Sequence, residues 1–338
     1  MGVGLDIGSK TVKIVELSQG KNEFILKASG IAGHKGRPPE QTQTEKELTP
    51  LAETIRKLYK EVRISSKEVS IALPESQVFI RTVKFPLLTD SEIASAIKWE
   101  AEQYIPIPIS EAIVQHQIIE RKEDITSSQT TVLLIAVSKQ IVEKYVKVVE
   151  MAGLNLIVVE TELMSMVRSL APSDQTVLIL DFGAKSTDIA IAKEGRLVFS
   201  RSVLTAGEAF TRAIAQGLGI EEIRAEEYKK AYGLSESLLE GKVKEALQPT
   251  VRLVSDEIKK AIHFYQSEER GSTPSSLILA GGTAGMPEIA SVLTKFLNIE
   301  VVIGNPFSKV KCDPQVVKSL SDYASYYSVA VGLAMREE

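Results

Sequence analysis

The 338 residues are 44% apolar and 25% charged with a formal net charge of −4, which fits an ordinary folded chain and gives no basic excess for nucleic acid. The length suits two domains of roughly 150 residues each. The single cysteine, Cys312, can form no internal disulfide, and His34, His116 and His263 show no metal-ligand spacing, so a disulfide scaffold and a zinc site are both excluded.

In chain order, "VGLDIG" (3–8) and "VKIVELS" (12–18) are apolar strands joined by a tight turn, and "EFILKASGIAG" (23–33) is a third strand. The polar, proline-containing stretch 34–47 predicts a mobile loop. Leu51, Ile55, Leu58 and Val62 then repeat at helical spacing through 48–62. The second half repeats that order: strands at 176–183, 187–193 and 197–203, then a helix at 207–218. Each half also carries a strand–helix–strand unit, at 131–160 and 276–304. Strand meander, helix, and parallel crossover imply a mixed α/β sheet flanked by helices, built twice. Two segments stand outside the duplication: a small α+β insert at about 75–130 and a mostly helical insert at about 220–275. No apolar run reaches the ~18 residues of a membrane span, no signal peptide opens the chain, and the final "GLAMREE" reads as a helix end. A cytoplasmic protein is expected.

The duplicated stretches "LDIGSK" (5–10) and "LDFGAK" (180–185) sit at equivalent points of the two meanders. One Asp-x-Gly is ordinarily a hairpin turn. Two in register suggest a pair of anion nests, Gly8-Ser9-Lys10-Thr11 and Gly183-Ala184-Lys185-Ser186, facing each other across a cleft. A carboxylate beside a phosphate is tolerable if a divalent cation lies between them, so Asp6 and Asp181 are expected to hold Mg2+, directly or through water. Lys13, on the strand leaving the first turn, either reaches back to the phosphates or is an exposed strand lysine. A third piece, Gly281-Gly282-Thr283, follows an apolar strand and precedes a helix near Pro287, where adjacent glycines let backbone approach a flat ligand. The equivalent point of the first half, read as "AVSKQ" (136–140), has no glycine. That asymmetry predicts one nucleotide, its base and sugar on the second domain and its phosphates shared.

Together, "GLDIGSKTVKIVEL", "ILDFGAKSTDIAIA", "LAGGTAGMPEIASVL" and "YSVAVGLAMR" resemble, in order, the two phosphate motifs, the adenosine motif and the second connector of the actin/Hsp70/FtsA superfamily. The resemblance implies an actin-like ATPase fold of two ribonuclease-H-like domains, 1–173 and 174–315, with a C-terminal helix at about 316–338 returning to the first. It implies ATP with Mg2+ as cofactors, Glu160 in "VVETELMSM" as the residue that orients the attacking water, and Glu257 and Lys260 in "DEIKKAIHFY" beside the adenine. The insert "ALPESQVFIRTVKFP…EIASAIKWEAEQYIPIPISEA" is similar to that of the PilM family of actin-like type IV pilus assembly proteins, a resemblance covering the whole chain. It implies an ATP-binding adaptor, slow at most in hydrolysis, on the cytoplasmic side of the inner membrane. Its partner would be the N-terminal cytoplasmic tail of the membrane protein PilN, and through PilN it would reach PilO and the pilus motors. Ile93, Ile97, Trp99 and "IPIPI" (105–109) form either a groove wall for that tail or the insert's own core. An FtsA-like division filament and a turning-over ATPase or phosphotransferase are the alternatives.

Overall fold

Two antiparallel hairpins, each opening with an aspartate-bearing turn, organise the chain in a computed structural model that describes residues 2–21, 23–123, 128–267 and 271–336. The first half runs β1 (Gly2–Ile7), β2 (Thr11–Gln19), β3 (Phe24–Gly33), α1 (Glu45–Val62) and β4 (Glu68–Leu73). The insert follows as β5 (Val78–Phe85), α2 (Asp90–Tyr104), β6 (Ala112–Lys122) and β7 (Gln129–Ser138). Then come α3 (Lys139–Met151), β8 (Asn155–Thr161) and α4 (Glu162–Leu170). The second half runs β9 (Thr176–Phe182), β10 (Thr187–Lys193), β11 (Arg196–Val203), α5 (Gly207–Leu218), α6 (Glu222–Tyr232), α7 (Lys242–Ser267), β12 (Ser276–Ala280), α8 (Ile289–Leu297) and β13 (Glu300–Ile303). It closes with β14 (Val310–Lys311), α9 (Pro314–Leu320) and α10 (Ser328–Ala334). The last two residues of "GLAMREE" lie outside the described residues.

The strand order β3-β2-β1-β4-β8 in one sheet matches β11-β10-β9-β12-β13 in the other, and β14 extends the first sheet beyond β3. Pairing sense matches too: antiparallel across each meander, parallel across each crossover. This topology corrects one expectation. Thr131–Ser138 is not the first sheet's crossover strand but the middle strand of a separate three-stranded sheet, β5-β7-β6. The crossover slot belongs to β4, whose "VSIAL" is buried on both faces as a strand covered on two sides must be. The first-half counterpart of Gly281-Gly282-Thr283 is therefore the turn at Pro74-Glu75, and not 136–140.

The stretch 34–47 is no free loop. Pro39–Gln41 forms a short 3-10 turn, Tyr145 donates to Glu40 Oε2 at 2.9 Å, and Lys144 Nζ donates to the Thr42 carbonyl at 2.6 Å. Helix α1 begins three residues before its apolar stripe, because the Glu47 carboxylate turns back to accept the Gln43 and Thr44 N–H groups. In the insert, Ile93 and Ile97 are fully buried against Val132 and Leu134, so they are its core and not a groove wall, while Trp99 stands 73% exposed. Along α7, Val243, Leu247, Val251, Val254, Ile258, Ala261 and Tyr265 bury one stripe at helical period against the second sheet.

Helix α10 fills the space beside β1 and α4, and small residues set its distance. A Cβ on Gly2 or Gly4 would stand 2.1 or 2.0 Å from the carbonyls of Ala334 and Ala330, and one on Gly332 would stand 1.8 Å from the Ser165 carbonyl. Contacts that short are forbidden, so either the helix or the sheet must move. Among the described residues no helix is long and apolar enough to cross a membrane. Gly332→Ala is expected to destabilise the protein by about 1–3 kcal/mol through overpacking, read as a lower urea midpoint. An unchanged midpoint would show that α10 can retreat freely.

Candidate functional site

The two turns close identically: Gly8 N–H donates to the Thr11 carbonyl and Gly183 N–H to the Ser186 carbonyl, both at 3.1 Å. They face each other over a cavity of about 220 Å³ at the junction of the two halves. Asp6, Gly8, Ser9, Lys10, Thr11 and Lys13 line it from the first half. Asp181, Gly183, Ala184, Lys185, Ser186, Gly281 and Gly282 line it from the second. The sequence-predicted turn residues are thus brought together.

Pairing register then sets the charges at its floor. Lys13 stands directly across from Asp6, and Asp188 directly across from Asp181. The buried Lys13 donates to Asp6 Oδ2 at 2.9 Å; although burial opposes its charge, Asp6 first and then Asp181 and Glu162 hold its pKa above the ordinary lysine value. On the other side, carboxylate oxygens of Glu162, Asp181 and Asp188 lie within 4.8 Å of one another. Burial, and then the like charge of Asp188, push Asp181 up to about 7, with Lys13 pulling the other way. Asp188 is pushed up to about 6 by burial, against the nearby Ser202 and Ser186 hydroxyls. Glu162 is raised well above its usual range by burial and then by Asp181, Asp188 and Asp6.

These three carboxylates fit a small hard cation. Their donors are all oxygen, and Asp188 Oδ1 is buried without a hydrogen-bond partner while its Oδ2 accepts from Ser186 at 2.7 Å. The expected metal pair was Asp6 and Asp181. The structure keeps Asp181 in that cluster, gives Asp6 to Lys13, and adds Asp188 and Glu162.

Directly beside Asp181, Gly281 has φ +86°, and a Cβ there would lie 2.3 Å from Asp181 Oδ1, so only glycine fits. Thr283 is buried and braces the second turn through its N–H to Phe182 O (2.9 Å) and its hydroxyl to Gly183 O (3.2 Å); it does not line the cavity. Tyr326 donates to the Gly282 carbonyl at 3.0 Å and walls the cavity there. Glu226 and Lys230 of α6 close it. Buried Lys229 anchors that helix, donating to Gly207 O (2.9 Å), Thr211 Oγ1 (2.9 Å) and Glu226 Oε2 (2.6 Å). Against the cost of burial, the Lys229 and Thr211 hydrogen bonds bring Glu226 down to about 2.

Besides Thr283, the predicted Glu257, Lys260 and Glu160 fall outside the cavity. Glu257 pairs with Arg201 (2.5 Å) and Lys260 (2.7 Å) away from the cavity, so α6 rather than α7 supplies its charged helix. Glu160 is also absent from it. Arg168 holds both Glu160 oxygens at 2.7 and 2.8 Å, Arg336 takes a third bond at 2.7 Å, and the group faces a separate groove of about 640 Å³. The reason is local: β8 ends at Thr161, whose hydroxyl caps α4 by accepting Met164 N–H at 3.2 Å, and the change from strand to helix turns Glu162 into the cavity instead. Asp188 carried a signal in the sequence, since it stands seven residues after Asp181 as Lys13 does after Asp6. Glu226, Lys230 and Tyr326 carried none.

The family model of the type IV pilus assembly protein PilM matches residues 4–338. The chain belongs to the PilM family. A solved PilM-PilN type IV pilus biogenesis complex is 27% identical, with a TM-score of 0.84 over 99% of this chain and 98% of that one. The cell division protein FtsA of Bacillus subtilis is 22% identical over 360 residues, covering 93% of this chain and 80% of FtsA. MreB5 of Spiroplasma citri bound to AMPPNP is 16% identical with a TM-score of 0.55, over 98% of this chain and 93% of that one. The fold is therefore the actin-like ATPase fold, as the sequence motifs implied.

A pH dependence follows from the carboxylates of this PilM-family cleft. Raised folded-state values mean that the native protein binds protons more tightly than the unfolded chain, where Asp titrates near 3.9. Without divalent cations, stability should fall as pH rises from about 4 to about 7, the range set by Asp181 and Asp188. Mg2+ should then raise the melting temperature more at about pH 8 than at about pH 5, because its ligands are ionised there. Asp188→Asn should shrink both effects. An Mg2+ response independent of pH would sink the cluster as a cation site.

Proposed function

We propose that this protein is an ATP-binding adaptor of type IV pilus assembly that grips the N-terminal cytoplasmic tail of the inner-membrane protein PilN. The observation that carries the reading is its likeness, over the whole chain, to the PilM of a PilM-PilN complex. On this reading the protein is cytoplasmic and peripheral to the inner membrane through PilN, and it links PilO and the envelope complex to the pilus motors.

The cavity is read as the nucleotide site. Both turns would cradle phosphates, with Lys10, Lys13 and Lys185 supplying charge, and Gly281-Gly282, Tyr326 and α6 flanking the nucleoside. Glu162, Asp181 and Asp188 would hold Mg2+, which supplies neutralising charge between carboxylates and phosphates. On this reading Glu162, which lines the cavity where Glu160 does not, would also steer any water held beside the cation. The enzyme activity expected is slow ATP hydrolysis at most.

The 640 Å³ groove is read as the tail site. Ile113, Ile135, Val137, Val159 and Met164 give it an apolar floor, and Arg168, Arg336 and Glu160 give it a polar end. Its wall β8 is the edge strand of the first sheet, which leaves main-chain groups for an extended segment to pair with. Groove and cavity share α4: Met164 and Arg168 line the groove, Glu162 and Met166 the cavity. A tail that prefers one setting of α4 must strengthen nucleotide binding by the same factor that nucleotide strengthens tail binding.

Two measurements test this. Fluorescence anisotropy of a labelled PilN tail peptide should show saturable binding, lost with a scrambled peptide and weakened at least about tenfold by Met164→Asp, the cost of a charge in an apolar site. No binding with or without Mg-ATP would overturn the adaptor reading. ATP at about 100 times its dissociation constant should add roughly 2.7 kcal/mol of stability, lost in Asp181→Ala. An equal gain in that variant would remove the cavity as the nucleotide site.

A further inference from the structure

The lysines of the two duplicated turns do not both lie within their own domain's half of the cleft. Lys10, fourth residue after Asp6, reaches across to Glu208 Oε1 of α5 at 3.1 Å. Lys185, fourth residue of the second turn after Asp181, reaches across the other way to Gln41 Oε1 at 3.2 Å. The two contacts are reciprocal, as the duplication is, and both lysines line the mouth of the cavity.

Each acceptor is built into its own rim. Glu208 lies in the first turn of α5, and its N–H donates to the Ala184 carbonyl at 2.9 Å, which ties it to the second turn. Gln41 ends the 3-10 turn that Tyr145 and Lys144 brace from α3. His34 ties that segment to the first turn, with Nε2 2.9 Å from Gly8 O and Nδ1 3.1 Å from Gly36 O. Neither Gln41 nor Glu208 was singled out by sequence, and neither belongs to the acidic cluster or to the nucleoside end.

We propose that Lys10–Glu208 and Lys185–Gln41 are a reciprocal latch that holds the cleft mouth closed and slows escape of whatever occupies it. The occupant is taken as Mg-nucleotide on the reading above. Release requires the two halves to part, and parting breaks both contacts. One is an ion pair and the other a neutral acceptor on a cation, so only the first should weaken strongly with salt.

The test is the dissociation rate of a fluorescent ATP analogue with Mg2+, in wild type, Glu208→Ala, Gln41→Ala and the double variant. Each single change should speed release about two- to fivefold, as expected for partly exposed contacts, and the double should multiply the two. Added salt should narrow the gap between wild type and Glu208→Ala. Gln41→Glu turns the second contact into an ion pair and should slow release at low salt, a direction that mere loss of structure cannot produce. Unchanged rates in the double variant, or faster release in Gln41→Glu, would overturn the latch. If wild type binds no nucleotide, the nucleotide reading fails, and the latch is decided separately by interdomain distances. Spin labels at Lys46→Cys and Arg212→Cys, with Cys312→Ser, should then show longer distances in the double variant than in the parent; identical distributions would overturn the proposal.

Discussion

Four carboxylates gathered at the floor of one cleft, with a single buried ammonium among them, repel one another and have lost most of their water. Asp6 is partnered by Lys13, but Glu162, Asp181 and Asp188 crowd one another with only neutral donors beside them, the Glu75 N–H on Glu162 and the Ser186 hydroxyl on Asp188. Burying like charges costs several kcal/mol per ion unless a counter-charge joins them or protons do. The raised values of Asp181, Asp188 and Glu162 are the proton solution. A cation is the other, and it makes the same floor attractive to phosphate instead of repellent. The elements that carry these groups converge because both β hairpins and the start of α4 end at this point.

The duplication makes the cleft two-sided, and its departures from symmetry make it specific. At the position seven residues after each turn's aspartate, one half has Lys13 and the other Asp188, so one side is neutralised internally and the other calls for a cation. After the crossover strand, the second half opens with Gly281, where no side chain fits. The first half has Leu73 there, and two residues on Glu75 is buried, with neither carboxyl oxygen in a hydrogen bond and pushed up to about 7 chiefly by burial. Its N–H donates to Glu162 Oε2 at 3.3 Å. One nucleotide site, and not two, is the consequence expected of that difference.

The meanders, the two turns and the Gly-Gly loop were legible because each is written locally, in strand alternation, turn residues and adjacent glycines. The strand at 68–73 was not, since a short run apolar on both faces has no period to read, and its neglect displaced the crossover by one strand. Glu160 and Glu162 show the same limit more sharply. Strand alternation puts both on one face, but the Thr161 cap ends the strand between them, so Glu162 and not Glu160 reaches the cavity. Residues of α6 and the Tyr326 segment reach the cleft only through tertiary packing, so no spacing in the sequence points to them.

That same junction would let the two proposed binding regions report on each other. Within three residues the backbone presents Glu160 to the groove and Glu162 to the cleft, and α4 then carries side chains to both. Helix α4 cannot shift alone, because α10 is packed against it at glycine distance and Arg168 bonds the Gly332 carbonyl at 2.6 Å. The Glu160–Arg168–Arg336 cluster therefore fastens β8, α4 and the end of α10 into one body. A displacement imposed on Glu162 by a cation must move that body or strain the cluster, and a segment lying against Arg168 and Arg336 biases the same choice. In a close-packed interior such a body has few alternative positions, which is the physical condition for linkage between the two sites.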